Sequence, residues 1–130
     1  MPETVPSLWP PEFGEISVLA PVAILRQQGM ALGQQTQNIV VGRVSTRPSA
    51  VGFRHAFSLH CAPLGYSIEL FSVYHGIDLY PAKIREGEEG EEGPAVEAAN
   101  AEEFSEKLRQ VFATPKTKKI ISSLLAQSKQ

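Results

Sequence analysis

Ser58, His60 and Glu69 are the residues of this sequence whose types and spacing could do hydrolytic chemistry. Two runs in which large apolar residues alternate with polar ones meet at A-P-L-G, residues 62–65, a composition typical of a hairpin turn. Pairing the runs around this turn puts Ser58 beside Glu69 and His60 beside Ser67 on one face of a sheet. A serine, a histidine and a carboxylate within reach of one another are the parts of a nucleophile, a base and an orienting group.

This constellation supports a hydrolase-like or ligand-binding protein using Ser58, His60 and Glu69 only as an alternative hypothesis. The three side chains stand on regular neighbouring strands, without the strained turn and the paired oxyanion donors that a nucleophilic serine needs. No residue is therefore predicted to be catalytic, and the sequence leans against an enzyme.

Metal and cofactor sites are not predicted. Cys61 is the only cysteine, and it alternates onto the apolar side of its run, which indicates a buried thiol. The three histidines do not share a ligand-like spacing on one element. Gly29 and Gly33 lack the sequence context of a phosphate-binding loop. We expect no cofactor, and the sequence does not define a small-molecule ligand.

The two alternating runs also anchor the predicted sheet. Their register places Leu59 opposite Ile68 and Phe57 opposite Leu70, so that these large apolar residues share one face. A one-residue slip would set the same residues against polar partners, so the hydrophobic pattern itself selects the register.

One further strand is predicted on each side of this pair. Residues 38–46 are rich in β-branched side chains, which favour a strand. Residues 77–84 predict a last strand, reached through a turn at His75 and Gly76 that pairs Tyr74 with Ile77. The sheet is thus predicted to be a four-stranded antiparallel β-meander.

Three helices are predicted around the sheet. Apolar residues at three- and four-residue spacing predict a helix over 21–36. Asn100 and Glu103 resemble a capping pair that begins a helix reaching about residue 113, and Thr114-Pro115 begins another. The predicted fold is α+β, with the N-terminal helix and the two C-terminal helices packed on one face of the sheet.

Proline and charge divide the rest of the chain. Residues 1–15 contain four prolines and predict an extended arm, whereas residues 16–130 predict one α+β domain. Within this domain the acidic segment, E-G-E-E-G-E-E-G-P at residues 86–94, predicts a flexible loop. Trp9 and Phe13 of the arm are expected to fold back onto the domain, and the alternative is that they reach a partner's groove.

Charge and hydropathy indicate which classes of partner and which cellular compartment to expect. A formal net charge of -2 and a pI near 5.9 disfavour nucleic acid, although the basic residues of the last helix leave a nucleic-acid-binding module as a second alternative. The sequence shows no signal-peptide pattern and no apolar stretch of membrane-spanning length. We expect a cytoplasmic protein without a membrane partner.

The sheet face opposite the predicted core carries the leading hypothesis. In the predicted register this face has an apolar patch with a polar border, which is typical of an interaction surface. Its residues are Ala56, Phe71, Val73 and Tyr80 in the patch and Ser58, His60 and Glu69 at the border. We therefore expect a non-enzymatic interaction or accessory protein that binds a protein partner or forms a homodimer through this face. The alternative is that the N-terminal arm, with Trp9 and Phe13, covers the patch within one chain.

Overall fold

A computed structural model describes residues 4–14 and 18–129 of the chain. Its helices are α1 (Pro21–Gln35), α2 (Ala101–Phe112) and α3 (Pro115–Ser128), and a short 3-10 turn covers Pro11–Gly14. Its strands are β1 (Val40–Ser49), β2 (Gly52–Cys61), β3 (Tyr66–His75), β4 (Ala82–Glu86) and β5 (Ala95–Ala98). The predicted α+β class, the antiparallel sheet and the three helices are confirmed. Within the described ranges no helix is long and apolar enough to cross a membrane.

In the described part of the chain the sheet has five strands, in the order β1-β2-β3-β4-β5, so the prediction of four strands is wrong. The missed strand is β5, A-V-E-A, which pairs antiparallel with β4. Alanine and glutamate are depleted in strands, so this segment carries no strand signal of its own. Its conformation comes from the hydrogen bonds that β4 offers.

The hairpin predicted after β3 is also wrong. Tyr74 pairs with Lys83 rather than with Ile77, because residues 76–81 form a wide turn instead of a strand. Within that turn the Leu79 amide donates to the Gly76 carbonyl at 3.2 Å. Proline has no amide to give to a ladder, and β4 begins only after Pro81.

The β2–β3 register agrees with the prediction near the hairpin turn and departs from it further on. Leu59 pairs with Ile68 and Ser58 with Glu69, as predicted, but Phe57 pairs with Phe71. A β-bulge therefore makes Leu70 an extra residue on β3. Because side chains alternate with period two, every residue of β3 after the bulge lies on the face opposite to the predicted one.

The core face of the sheet is the face that carries Phe57, Leu59 and Ile84. Buried side chains of all three helices belong to the same apolar cluster, among them Leu25 of α1, Leu108 of α2 and Leu124 of α3.

The cap predicted for α2 is present, since the Asn100 side chain accepts a hydrogen bond from the Glu103 amide at 2.9 Å. Cys61 is fully buried, as predicted.

Two glycines let α1 approach β1 at backbone distance. A Cβ on Gly29 would lie 2.4 Å from the carbonyl oxygen of Gly42, and a Cβ on Gly42 would lie 2.6 Å from the Gly29 Cα atom. Such distances are far below van der Waals contact, so any larger residue would force the helix away from the sheet. The close contact compensates for the weak helix propensity of glycine within α1.

We expect Gly29→Ala to be less stable than Gly33→Ala by about 1 to 3 kcal/mol, the range of an overpacked contact. Both changes gain the same helix propensity, so the difference isolates the backbone contact. At Gly33 the new Cβ would meet the Asn38 Oδ1 atom at 3.0 Å and the Val41 Cγ1 atom at 3.1 Å, and both belong to side chains rather than to the backbone. Urea unfolding of the two variants measures the difference. Equal stabilities would contradict the role of the Gly29–Gly42 contact.

Candidate functional site

The second face of the sheet, opposite the core face, is where the sequence placed its candidate residues. Ala56, Ser58, His60 and Glu69 do lie on this face. The bulge turns Phe71 and Val73 to the core face, where both are fully buried. Their placement on the second face was therefore wrong.

Tyr80 belongs to the helix side of the molecule. Its ring packs edge-on against Phe104 of α2, with centroids 6.3 Å apart, and its hydroxyl donates to the Leu19 carbonyl at 2.9 Å. Burial raises the pKa of the Tyr80 hydroxyl. Of the predicted apolar patch only Ala56 lies on the second face.

The polar residues predicted for hydrolysis are divided between two separate contacts. His60 Nδ1 lies 2.7 Å from the Ser67 hydroxyl, on an exposed part of the strands. The Glu69 carboxylate instead accepts from Arg54 at 3.1 Å and from the Glu89 amide at 2.7 Å. Glu69 thus neutralises an arginine and holds a loop, and its carboxylate oxygens do not orient His60.

A buried arginine organises the centre of the second face. Arg54 is 4% exposed, and its Nε donates to the Tyr74 hydroxyl at 3.0 Å. One terminal nitrogen donates both to Ser72 Oγ at 3.2 Å and to Glu69. Burial alone lowers the pKa of Arg54, but the Tyr74 hydrogen bond and the Glu69 charge outweigh it and raise that pKa. The guanidinium is therefore a permanent buried cation.

The two hydroxyls next to this arginine hold a carboxylate. The Tyr74 hydroxyl donates to the Glu92 carboxylate at 2.7 Å, and the Ser72 hydroxyl donates to it at 2.9 Å. Because both hydroxyl oxygens accept from Arg54, their hydrogens are free to point at Glu92. Arg54, Ser72 and Tyr74 form a site for one carboxylate group, which we call the carboxylate site.

Glu92 reaches this site because the acidic segment folds over the second face. The Arg85 Nε donates to the Gly93 carbonyl at 2.9 Å, and the Gly87 amide donates to the Leu70 carbonyl at 2.9 Å. Arg47 forms an exposed ion pair with Glu89 and lowers the pKa of that carboxyl. The flexibility predicted for this segment stays a prediction. Motion of the segment away from the sheet would have to break these contacts.

The second face is more basic than the whole chain. The strand register places five positively charged residues on this face: Arg43, Arg47, Arg54, Lys83 and Arg85. The acidic ones on the strands are Glu69 and Glu97. The acidic segment thus supplies negative charge to a face whose strands carry an excess of positive charge.

Sequence reasoning missed Arg54, Ser72, Tyr74 and Glu92 as a group. One signal was present, since Arg54 is a charged residue within an otherwise buried strand and such a charge needs a partner. The partner on the acidic segment lies far along the chain, and only the bulge brings Ser72 and Tyr74 to the correct face.

A pair of buried histidines lies on the core face, outside the carboxylate site. The Nε2 atoms of His55 and His75 are 2.7 Å apart. His75 Nδ1 must donate to the Gly76 carbonyl at 2.7 Å, since a carbonyl only accepts. When both rings are neutral, His55 Nε2 then donates to His75, and His55 Nδ1 accepts from the Thr46 hydroxyl at 2.8 Å.

The surroundings of the histidine pair favour its neutral form. Burial, together with the charges of His75 and Arg26, lowers the pKa of His55 from 6.5 to about 4. Among the residues that the structure describes, no three His, Cys, Asp or Glu side chains come together as metal ligands would.

The fold and the second face define an α+β protein with an antiparallel sheet and an internally occupied carboxylate site. Comparison of the chain with protein-family models, with curated proteins and with solved structures found no match. Its function is therefore argued from the site alone.

Proposed function

We propose that this chain is a non-enzymatic interaction protein that binds an acidic segment of a protein partner on the second face of its sheet. The observation that carries the proposal is the carboxylate of Glu92 held by Ser72 and Tyr74 beside the buried Arg54. In this proposal the helices cover the core face, and the acidic segment occupies the second face until a partner replaces it.

The chemistry of the site selects an anionic group. The Ser72 and Tyr74 hydroxyls, held beside a buried guanidinium, lose a charged acceptor when Glu92 leaves, and hydrogen bonds to charged groups contribute about 1.5 to 3 kcal/mol. A neutral carbonyl or water can accept from the same hydroxyls but lacks the charge-assisted part of that energy, and an ammonium or guanidinium group cannot accept at all. An extended acidic peptide restores the carboxylate and adds charge contacts with Arg47 and Arg85 at the edges of the site.

The acidic segment acts as an internal competitor in this scheme. A group tethered by a short loop has an effective concentration of about millimolar or more, so a partner binds only in the fraction of molecules whose site is open. Glu92 therefore sets the apparent affinity of the site. Weakening its contact is predicted to favour an external acidic peptide.

The test compares Glu92→Ala with the matched variant Glu91→Ala, since both remove one negative charge from the acidic segment. A fluorescent peptide with the sequence of residues 86–94 serves as the ligand in an anisotropy titration. The Glu92→Ala variant is expected to bind the peptide about 10- to 100-fold more tightly than the Glu91→Ala variant. This factor corresponds to the free energy of one set of charge-assisted hydrogen bonds. The added change Tyr74→Phe should abolish this gain, and a peptide with glutamine in place of glutamate should bind more weakly, because a neutral amide oxygen accepts without the charge.

Two results would contradict the proposal. Equal affinities of Glu92→Ala and Glu91→Ala would show that Glu92 does not compete for the site. Tighter binding of Glu92→Ala to a single-stranded oligonucleotide than to the acidic peptide would favour the nucleic-acid alternative. Circular dichroism of each variant checks that the fold is retained.

The hydrolase-like alternative keeps one supporting observation, the short contact between His60 and Ser67. It makes Ser67, rather than Ser58, the serine that His60 could activate. The pair lies on an exposed strand surface, and Glu69 is engaged by Arg54. Labelling with a fluorophosphonate probe that is lost in Ser67→Ala would support this alternative.

A further inference from the structure

The N-terminal arm presents apolar side chains to solvent in an ordered form. Leu8 is 85% exposed and Trp9 is 75% exposed, so the expectation that Trp9 folds back onto the domain is wrong. Phe13 is also exposed, and its ring centroid lies 6.0 Å from that of Trp9. Pro10 and the 3-10 turn that begins at Pro11 restrict the backbone between the two rings, which lowers the conformational entropy that a partner's binding must overcome.

An apolar groove lies between α1 and α3 on the core face of the sheet. Its volume is about 520 Å³, within the range of pockets that hold peptide side chains or small ligands. Leu32 of α1, Phe112 of α2 and Ile121 and Leu125 of α3 form its walls, and Lys118 lies at its rim. These wall residues are only partly buried, so the groove leaves apolar surface that another apolar group could cover.

We infer that the N-terminal arm of one copy of this chain docks in the α1–α3 groove of a second copy. Trp9 and Phe13 supply the aromatic groups that such a groove buries best. The charges also match: the first twenty residues hold three glutamates and no Lys or Arg, whereas α3 holds three lysines and no acid. Glu12, next to Phe13, can then pair with Lys118 at the rim.

The occupant is a second copy rather than the arm of the same chain. The arm joins α1 at its N-terminal end, where the Leu19 carbonyl is held by Tyr80, but the groove follows α1 from Gln28 onward. Serving its own groove would require the arm to reverse direction and run back along the helix. Trp9 is 75% exposed and does not line the groove of its own chain, and exchange between two copies closes a two-fold dimer in which each copy gives one arm and one groove.

Trp9 is the only tryptophan of the chain, so its fluorescence reports the arm alone. We expect light scattering to give a dimer whose formation with rising concentration shifts the Trp9 emission to the blue. Leu125→Glu in the groove should yield a folded monomer with solvent-exposed emission. Ile77→Glu is the matched control, because Ile77 is an exposed aliphatic residue on the turn after β3. Trp9→Ala should raise the dimer dissociation constant about thirtyfold or more, as loss of a buried aromatic anchor does.

A mixing experiment separates exchange from other forms of association. A chain lacking residues 1–14 keeps its groove but has no tryptophan, and the Leu125→Glu chain keeps its arm but not its groove. Mixing the two monomers should restore a blue-shifted emission, because one arm then meets one groove. Three outcomes would overturn the inference. A blue-shifted emission in a monomer at every concentration would mean docking within one chain. A wild-type monomer with solvent-exposed emission throughout, or a dimer that neither Leu125→Glu nor Trp9→Ala weakens, would also contradict it.

Discussion

Leu108→Ala is expected to lower the free energy of unfolding by about 2 to 5 kcal/mol, because it leaves a cavity where a fully packed side chain was. Leu108 is 1% exposed and belongs to the apolar cluster that joins α2 to the sheet. Leu124 of α3 is 5% exposed, and Leu124→Ala should act in the same direction for the same reason. Together the two changes test whether both C-terminal helices close the core.

The matched control for the leucine variants is Lys116→Ala, which truncates an exposed side chain on α3 outside the α1–α3 groove. Surface changes of this kind stay within about 0.5 kcal/mol. Urea melts followed by circular dichroism give all three free energies. Small and equal effects of the three changes would mean that the C-terminal helices do not pack on the sheet.

Acidification is expected to destabilise the protein through His55. The folded pKa of His55 is about 4, below its ordinary value of 6.5, so the unfolded chain binds a proton more readily than the folded one. The stability that neutral His55 supports is complete above about pH 6.5 and is lost as the pH falls towards about 4. The loss approaches about 3 kcal/mol at the acidic end of this window.

The geometry of the histidine pair explains the sign of this effect. In the neutral arrangement every nitrogen of the two rings has a partner, from Thr46 through His55 and His75 to the Gly76 carbonyl. A proton added to His55 Nδ1 turns that nitrogen into a donor and places a charge in a buried site near Arg26. The buried charge opposes protonation, whereas the Thr46 hydroxyl can reverse its role and accept from the new donor.

The measurement is the free energy of unfolding by urea between about pH 7 and pH 4, compared with that of His55→Gln. Carboxylates contribute to the pH dependence of both proteins, so the difference between the two curves isolates His55. We expect that difference to shrink as the pH falls. A constant difference across this window would contradict the lowered pKa, and a nuclear magnetic resonance titration of His55 would locate it directly.

Local patterns were sufficient for much of the fold. The three- and four-residue spacing of apolar side chains placed α1 to within a residue, and the Asn100 cap placed the start of α2. The alternation around A-P-L-G paired Leu59 with Ile68, as observed. In each case the signal comes from neighbours in the chain, because a helix or a tight hairpin satisfies its own backbone and its own apolar face locally.

The carboxylate site was decided by tertiary structure alone. Leu70 and Phe71 are consecutive large apolar residues, so the sequence pattern fits the strand with or without a bulge, and the packing of Phe71 in the core selects the bulge. That choice turns Ser72 and Tyr74 towards Arg54. The segment that brings Glu92 to them shows only like charges and glycines in the sequence, a pattern of disorder, until a buried guanidinium gives its carboxylate a partner. The Glu92 carboxylate is solvated in the isolated segment and forms a structural contact only when the folded sheet presents the opposite charge. The period-two pattern of apolar residues contains no information about this long-range contact.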